Sequence, residues 1–225
     1  MKIFRHILCA LMLMASPAAF SQDGEMTDIL DTVGSRLDKI SAYTVDAIFS
    51  VDIDFVHMPD KQAVIRFEAP DKLDIDADGF LMIPRMGLKP LSRQLNLDYY
   101  HSLYLGKVLL DQDSCYQFKL IPKDSKHRIV LATVWISRDY RVMQWENFTR
   151  SSGSILIRFS YDKEPLPSRI VFTFDVNGMN LPLKYFGNEV QVDKPAMKAA
   201  GSVQGSVRVD LSNYRIQYAP PGKDR

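Results

Sequence analysis

Between residues 43 and 55 the chain alternates: Tyr43, Val45, Ala47, Phe49, Val51, Ile53 and Phe55 stand between Thr44, Asp46, Ser50, Asp52 and Asp54, and Ile48 alone breaks the pattern. Successive side chains of an extended chain leave on opposite sides, so this pattern predicts a long strand with one dry and one wet face. The pattern then recurs. Met58-Pro59-Asp60-Lys61 turns the chain, and Ala63, Ile65, Phe67 and Ala69 alternate up to Pro70, which predicts a hairpin with the first strand. A third run follows at Leu73, Ile75 and Ala77, and Asp78-Gly79 suits a tight turn before Phe80-Leu81-Met82-Ile83. Further strands are predicted at residues 116–121, 129–136, 141–148, 154–161 and 169–176, and their short polar connections suggest an antiparallel meander. Asn177-Gly178 marks another turn, residues 187–202 read as a loop, and Val203, Val207, Val209 and Leu211 form a final strand.

Helix is scarce by comparison. Met26, Ile29, Leu30, Val33, Leu37 and Ile40 recur at spacings of three and four, one face of an amphipathic helix over residues 26–40. About ten strands at ~4.8 Å spacing would make a sheet nearly 50 Å wide. A helix covers a strip of only ~10 Å. The dry face must therefore curl on itself into a barrel or half-barrel. Ten or more strands leave an internal space unless large side chains fill it.

The residues expected to line that space follow from the alternation. They are Phe49, Val51, Ile53 and Phe55 on the first strand, Ile65 and Phe67 on the second, Leu73 and Ile75 on the third, and Phe80 and Met82 beyond the Asp-Gly turn. From the meander come Tyr116, Phe118, Leu120, Phe159, Phe172 and Phe174. Residues 84–106 are the least regular. Pro90 there suits the first turn of a short helix carrying Leu88, Leu91 and Leu95 on one side, read as a lid over the cavity. An apolar lumen selects an apolar guest, and each methylene buried is worth about 0.8 kcal/mol, so acyl chains are the expected ligand.

The N-terminus carries Lys2 and Arg5 before an uncharged apolar run over residues 7–15, too short to span a bilayer. Ser16-Pro17 breaks it, and Ala19-Phe20-Ser21 offers small residues for cleavage before Gln22, so residues 1–21 are expected to be a signal peptide and residues 22–225 one exported domain. Cleavage leaves 26 basic against 27 acidic residues, a balance that does not favour nucleic acid or an anionic membrane surface.

Catalytic and metal-binding patterns are sparse. Cys115 is the single cysteine after residue 21, so no internal disulfide is expected, and its place at the start of an apolar strand predicts a buried, inert thiol. His57, His101 and His127 have no partners at metal-ligand spacing. Asp74, Asp76, Asp78 and Gly79 reproduce the opening of a calcium-binding loop, but Arg85 stands where the bidentate Glu belongs, and the strand alternation would send all three aspartates to a solvated face. Nucleophile-elbow, zinc-protease and nucleotide-binding motifs are absent from the sequence. A catalytic site could arise only by convergence in space, for instance of Cys115 with His101 or His127. The expectation is a protein with no catalytic residues, no cofactor and no metal.

Several segments carry a family resemblance. Phe67-Glu68-Ala69-Pro70-Asp71-Lys72-Leu73, following one amphipathic helix and a long first strand, resembles the opening of the LolA/LolB-like family of periplasmic carriers of outer-membrane lipoproteins. The likeness continues in Tyr116-Gln117-Phe118-Lys119-Leu120-Ile121-Pro122-Lys123, in Ala132-Thr133-Val134-Trp135-Ile136-Ser137 with Met143, in residues 155–161, and in Pro167-Ser168-Arg169-Ile170-Val171-Phe172. The resemblance implies a mainly β fold: an unclosed antiparallel half-barrel with an N-terminal amphipathic helix and a short capping helix over its concave side. It also implies a periplasmic, monomeric carrier of the acyl chains of lipoproteins or lipids, with an inner-membrane release complex and an outer-membrane acceptor as partners. Such carriers have an arginine and aromatic pair soon after the proline, where this chain has Lys72, Leu73 and Asp74, so the arginine that fastens the lid in them has no counterpart here. The alternative on the same fold is a regulatory module of the envelope that senses lipid or lipoprotein. Its partners in a pull-down would be a membrane-bound regulator, whereas a carrier would retain lipoproteins.

Overall fold

The computed structural model describes residues 22–77, 88–124, 126, 128–150, 153–175, 191–199 and 203–220. The predicted signal peptide, the Asp78-Gly79 and Asn177-Gly178 turns, Phe80, Met82 and His127 lie outside these residues. Among those described, no helix is long and apolar enough to cross a membrane.

Helix α1 (Gln22–Asp38) leads into β1 (Ile40–Asp52), β2 (Val56–His57), β3 (Lys61–Glu68) and β4 (Lys72–Ala77). The short helix α2 (Ser92–Leu95) precedes the meander β5 (Tyr100–Leu110), β6 (Asp113–Pro122), β7 (Ile129–Ser137), β8 (Val142–Thr149), β9 (Gly153–Ser160) and β10 (Arg169–Asp175). Then come β11 (Gln191–Val192), α3 (Lys194–Ala199) and β12 (Gln204–Tyr218). Ten strands form one antiparallel sheet in the order β4-β3-β1-β12-β10-β9-β8-β7-β6-β5, while β2 and β11 make a separate two-stranded ribbon. Edge strands β4 and β5 do not pair with each other, so the sheet is an unclosed barrel. The last strand, β12, joins the two halves by inserting between β1 and β10.

The alternation of the sequence becomes the inside of this curl. Tyr43, Val45, Ala47 and Phe49 of β1 are buried, as are Ile65 and Phe67 of β3, Ile170, Phe172 and Phe174 of β10, and Val207 and Val209 of β12. Ile29, Leu30 and Val33 of α1 pack into the same core. The helix touches α2, β1 and the far edge strand β5, and so lies across the concave face. The solvated face carries ion pairs such as Arg208 with Asp210 at 3.1 Å. Asp74 and Asp76 are there too, each 3.3 Å from the Arg66 guanidinium.

The structure corrects the sequence reading at several points. Ile40 does not end the helix but starts β1, paired with Tyr218. Residues 100–110, left within or beside an irregular region by the alternation, form the edge strand β5. Its apolar residues fall on both faces, with Leu103, Leu105 and Leu109 exposed, and a register shift between Tyr104 and Gly106 breaks the period. The turn into β6 has positive φ at both Asp111 (48°) and Gln112 (81°), the conformation of a type I′ hairpin without the Asn-Gly that usually announces it. Residues 187–202, read as a loop, include β11 and α3, with Asp193 accepting the Ala196 N–H at 2.9 Å as the cap of α3.

Candidate functional site

Aromatic and branched side chains bury much of the concave face among the described residues. Beside them the structure leaves a cavity of about 250 Å³. Its walls are the C-terminal turns of α1 (Val33, Leu37), the start of β1 (Ile40, Tyr43, Val45), Ile65 of β3, Val142, Phe159, Ile170 and Leu211. Leu88, Pro90 and Leu91 form its cover, and Pro165, Leu166 and Pro167 line it from the β9–β10 connection. Carbon dominates these walls.

The cover is tied down. The Tyr43 hydroxyl donates to the Leu88 carbonyl, and Lys89 lies 3.8 Å from the carboxylate of Asp71, next to Pro70. A tyrosine on β1 and a lysine–aspartate pair thus hold this segment. Two more tyrosines follow the same rule. Tyr161 donates to the Val142 carbonyl at 2.8 Å and Tyr214 to the Pro167 carbonyl at 2.9 Å. Tyr43 stacks on Phe67 with ring centroids 5.3 Å apart and meets Tyr214 edge-on at 5.8 Å. Burial pushes all three phenols well above the ordinary tyrosine range, because a phenolate here would be stripped of water. They are neutral wall groups with their protons committed to backbone oxygen.

Charge enters at the rim. Arg36, at the end of α1, donates to the backbone carbonyl of Asp139 at 2.8 Å and lies 5.0 Å over the Tyr140 ring. Arg141 approaches the Asp139 carboxylate at 3.5 Å and lies 5.2 Å over the Tyr161 ring. The Ser137 hydroxyl does most to hold the Asp139 carboxyl below the usual carboxylate range, with smaller help from its own backbone and from Arg141 and Arg36 against the cost of burial.

The residues expected to line a cavity divide. Ile65, Leu88, Leu91 and Phe159 meet at this one. Phe49, Phe55, Phe118, Leu120, Phe172 and Phe174 are buried in the packed core, and Phe67 stands behind Tyr43. Leu95 is buried in the same core, Leu73 and Ile75 pack against it from edge strand β4, and Tyr116 sits beneath the Lys107 ammonium at 5.3 Å. Val51 and Ile53 border a separate open recess with His57 and Gln191. The alternation found which face is dry but not where that face is left unfilled. Tyr43, Tyr161 and Tyr214 were missed as wall residues, and Arg36, Asp139 and Arg141 as rim residues; the prolines at 165 and 167 were the available sign that the β9–β10 connection turns across this end.

Cys115 is buried, and its thiol is pushed up by burial and then by Asp113 and Asp139. It pairs across β5 with Val108, whereas His101 pairs with Ile121, some six residues or about 20 Å along the strands, so these two do not form a reactive pair. Among the described residues no group of three or more His, Cys, Asp or Glu could hold a metal ion.

The architecture is an unclosed β-barrel with helices on its concave side, and solved structures resemble it. An outer membrane lipoprotein-sorting protein domain from Vibrio parahaemolyticus superposes with a TM-score of 0.53 at 11% identity, covering 88% of this chain and 93% of that one. A DUF1329 family protein from Desulfovibrio piger gives 0.50 at 11% identity over 86% and 92%. A LolA superfamily protein from Nitrosomonas europaea gives 0.43 at 13% identity over 85% and 94%. No protein-family model and no curated protein sequence matches the chain.

Proposed function

We propose that this chain is a periplasmic carrier that takes acyl chains of lipoproteins or lipids into the cavity beneath residues 88–91 and shuttles them toward the outer membrane. The observation that carries the reading is a hollow of about 250 Å³ with mainly apolar walls, under a cover that one hydrogen bond and one ion pair fasten in place. At about 30 Å³ for a group the size of a water molecule, that space takes roughly eight methylenes. Burying them at about 0.8 kcal/mol each gives about 6 kcal/mol before the costs of association. The carrier acts without catalysis: a guest enters when the cover lifts, and passes from a release complex at the inner membrane to an acceptor at the outer one. In this reading residues 1–21 are a signal cleaved before Gln22, and residues 22–225 work as one monomeric domain. The fold shared with a lipoprotein-sorting domain supports it.

Mature protein purified from a membrane-containing host should carry extractable lipid in native mass spectrometry, and delipidated protein should take up a fluorescent fatty acid. Protein that is empty from every host and takes up no probe would sink the proposal.

A further inference from the structure

We infer that the guest is a single-chain amphiphile with an anionic oxyacid head, held tail-inward with its head between Arg36 and Arg141. The inference rests on the carrier reading above and narrows its ligand.

Size argues for one chain. A cavity of about 250 Å³ takes roughly eight methylenes, and the two or three long tails of a lipoprotein anchor need several times that space. Charge argues for the head. Among the described residues the ionic groups that line the cavity are Arg36, Lys89, Asp139 and Arg141, three cations against one anion. Lys89 has Asp71 for a partner, and the Asp139 carboxylate faces Arg141. Arg36 hydrogen-bonds the backbone oxygen of Asp139 and, with Arg141, helps hold that residue's carboxyl low, so two guanidiniums share one carboxylate at the mouth. Arg36 lies over the Tyr140 ring and Arg141 over the Tyr161 ring, and the guanidinium N–H groups not committed to the oxygens of Asp139 and Asp162 are left to offer an oxyanion. The acyl esters of a lipoprotein anchor are uncharged and would make no use of those donors. A carboxylate or a phosphate monoester on one tail would.

The test compares decanoate, decyl phosphate, decanol and decyltrimethylammonium, all below micelle-forming concentrations, by calorimetry on the delipidated mature chain. Both anions should bind about tenfold more tightly than decanol, with the cation weakest, and added salt should erode the advantage. Comparison of the two anions separates a fatty-acid head from a phosphate head. Arg36→Gln should bring the anions to the affinity that decanol shows for the same variant, and Arg36→Lys should restore part of the difference. If Arg36→Gln fails to fold, the salt dependence of the unaltered chain carries the test. In a series from octanoate to hexadecanoate, affinity should level off near ten carbons. Equal affinity of decanol and decanoate, an anion advantage untouched by Arg36→Gln, or affinity still rising at sixteen carbons overturns this inference and leaves the carrier reading standing. Binding of none of these probes overturns both.

Discussion

Replacing Leu211 by tryptophan separates a cavity that serves a guest from one that is incidental. Leu211 sits on β12, nearly buried, with its side chain on the cavity wall. An indole in place of the isobutyl group would add roughly a quarter of the 250 Å³, about two of roughly eight methylene positions. At about 0.8 kcal/mol each, the lost burial is about 1.6 kcal/mol, which is about fifteenfold in Kd. The fold should tolerate the change, because the added ring enters existing space and regains contacts that a void forfeits. Displacement of a fluorescent fatty acid measures the affinity, and thermal unfolding without ligand measures the stability. Phe118→Leu in the packed half is the control: it should lower stability by about 1–2 kcal/mol and leave affinity alone. Leu211→Trp protein that is folded and binds within threefold of the original would show that guests do not use this cavity, and the reasoning would fail.

Tyr43→Phe removes the bond that ties the cover to β1 and leaves the Leu88 carbonyl without that donor. It should cost about 1–3 kcal/mol and speed ligand release, which stopped-flow displacement would read; an unchanged release rate would mean that the cover is not what retains the guest. Asn147→Leu takes the acceptor from the buried Trp145 indole N–H, bonded at 2.8 Å, and should destabilise by about 1–3 kcal/mol in urea titration with no effect on binding. The phenols of Tyr43, Tyr161 and Tyr214 have raised folded-state pKa values. The native state therefore keeps protons that the unfolded state loses above pH about 10. Stability should be intact below that pH and fall as pH rises beyond it, with tyrosinate absorbance appearing together with unfolding; ionisation of these phenols in protein that stays folded would contradict their burial.

How much of this was legible depended on which physical signal each element left in the residues. Strand β10 was readable because it buries one face only: Phe172 and Phe174 are inside, while Arg169 faces water. The edge strand β5 was not, since neither of its faces is consistently dry and its I′ turn is built from Asp111 and Gln112. The cover over Leu88 and Leu91 was found from Pro90 and the spacing of leucines, a local pattern. What fastens it was not, because Tyr43 lies 45 residues from Leu88 along the chain and its hydroxyl carries no mark of its partner. The rim was hidden for the same reason: Arg36 and Asp139 are brought together only when α1 lies across the sheet.

The width argument, a ten-stranded sheet with little helix to cover it, anticipates a hollow along the whole curl, and the structure confines the hollow to one end. The difference lies in what the inward side chains can do. Along the middle, Phe49, Phe118, Trp145 and Phe172 are free to interdigitate, and they fill the space the sheet encloses. At the cavity end the large residues are Tyr43, Tyr161 and Tyr214, and each is drawn to the wall by a hydroxyl that must find an acceptor, which it does in the carbonyls of Leu88, Val142 and Pro167. Pro165 and Pro167 stiffen the connection that supplies one of those carbonyls. A ring anchored by its hydroxyl cannot swing inward without abandoning a hydrogen bond, buried for Tyr43 and partly buried for Tyr161 and Tyr214, at up to about 1–3 kcal/mol for the buried one. The hollow persists because its potential fillers are tethered, so the polar atoms of an apolar site set its volume.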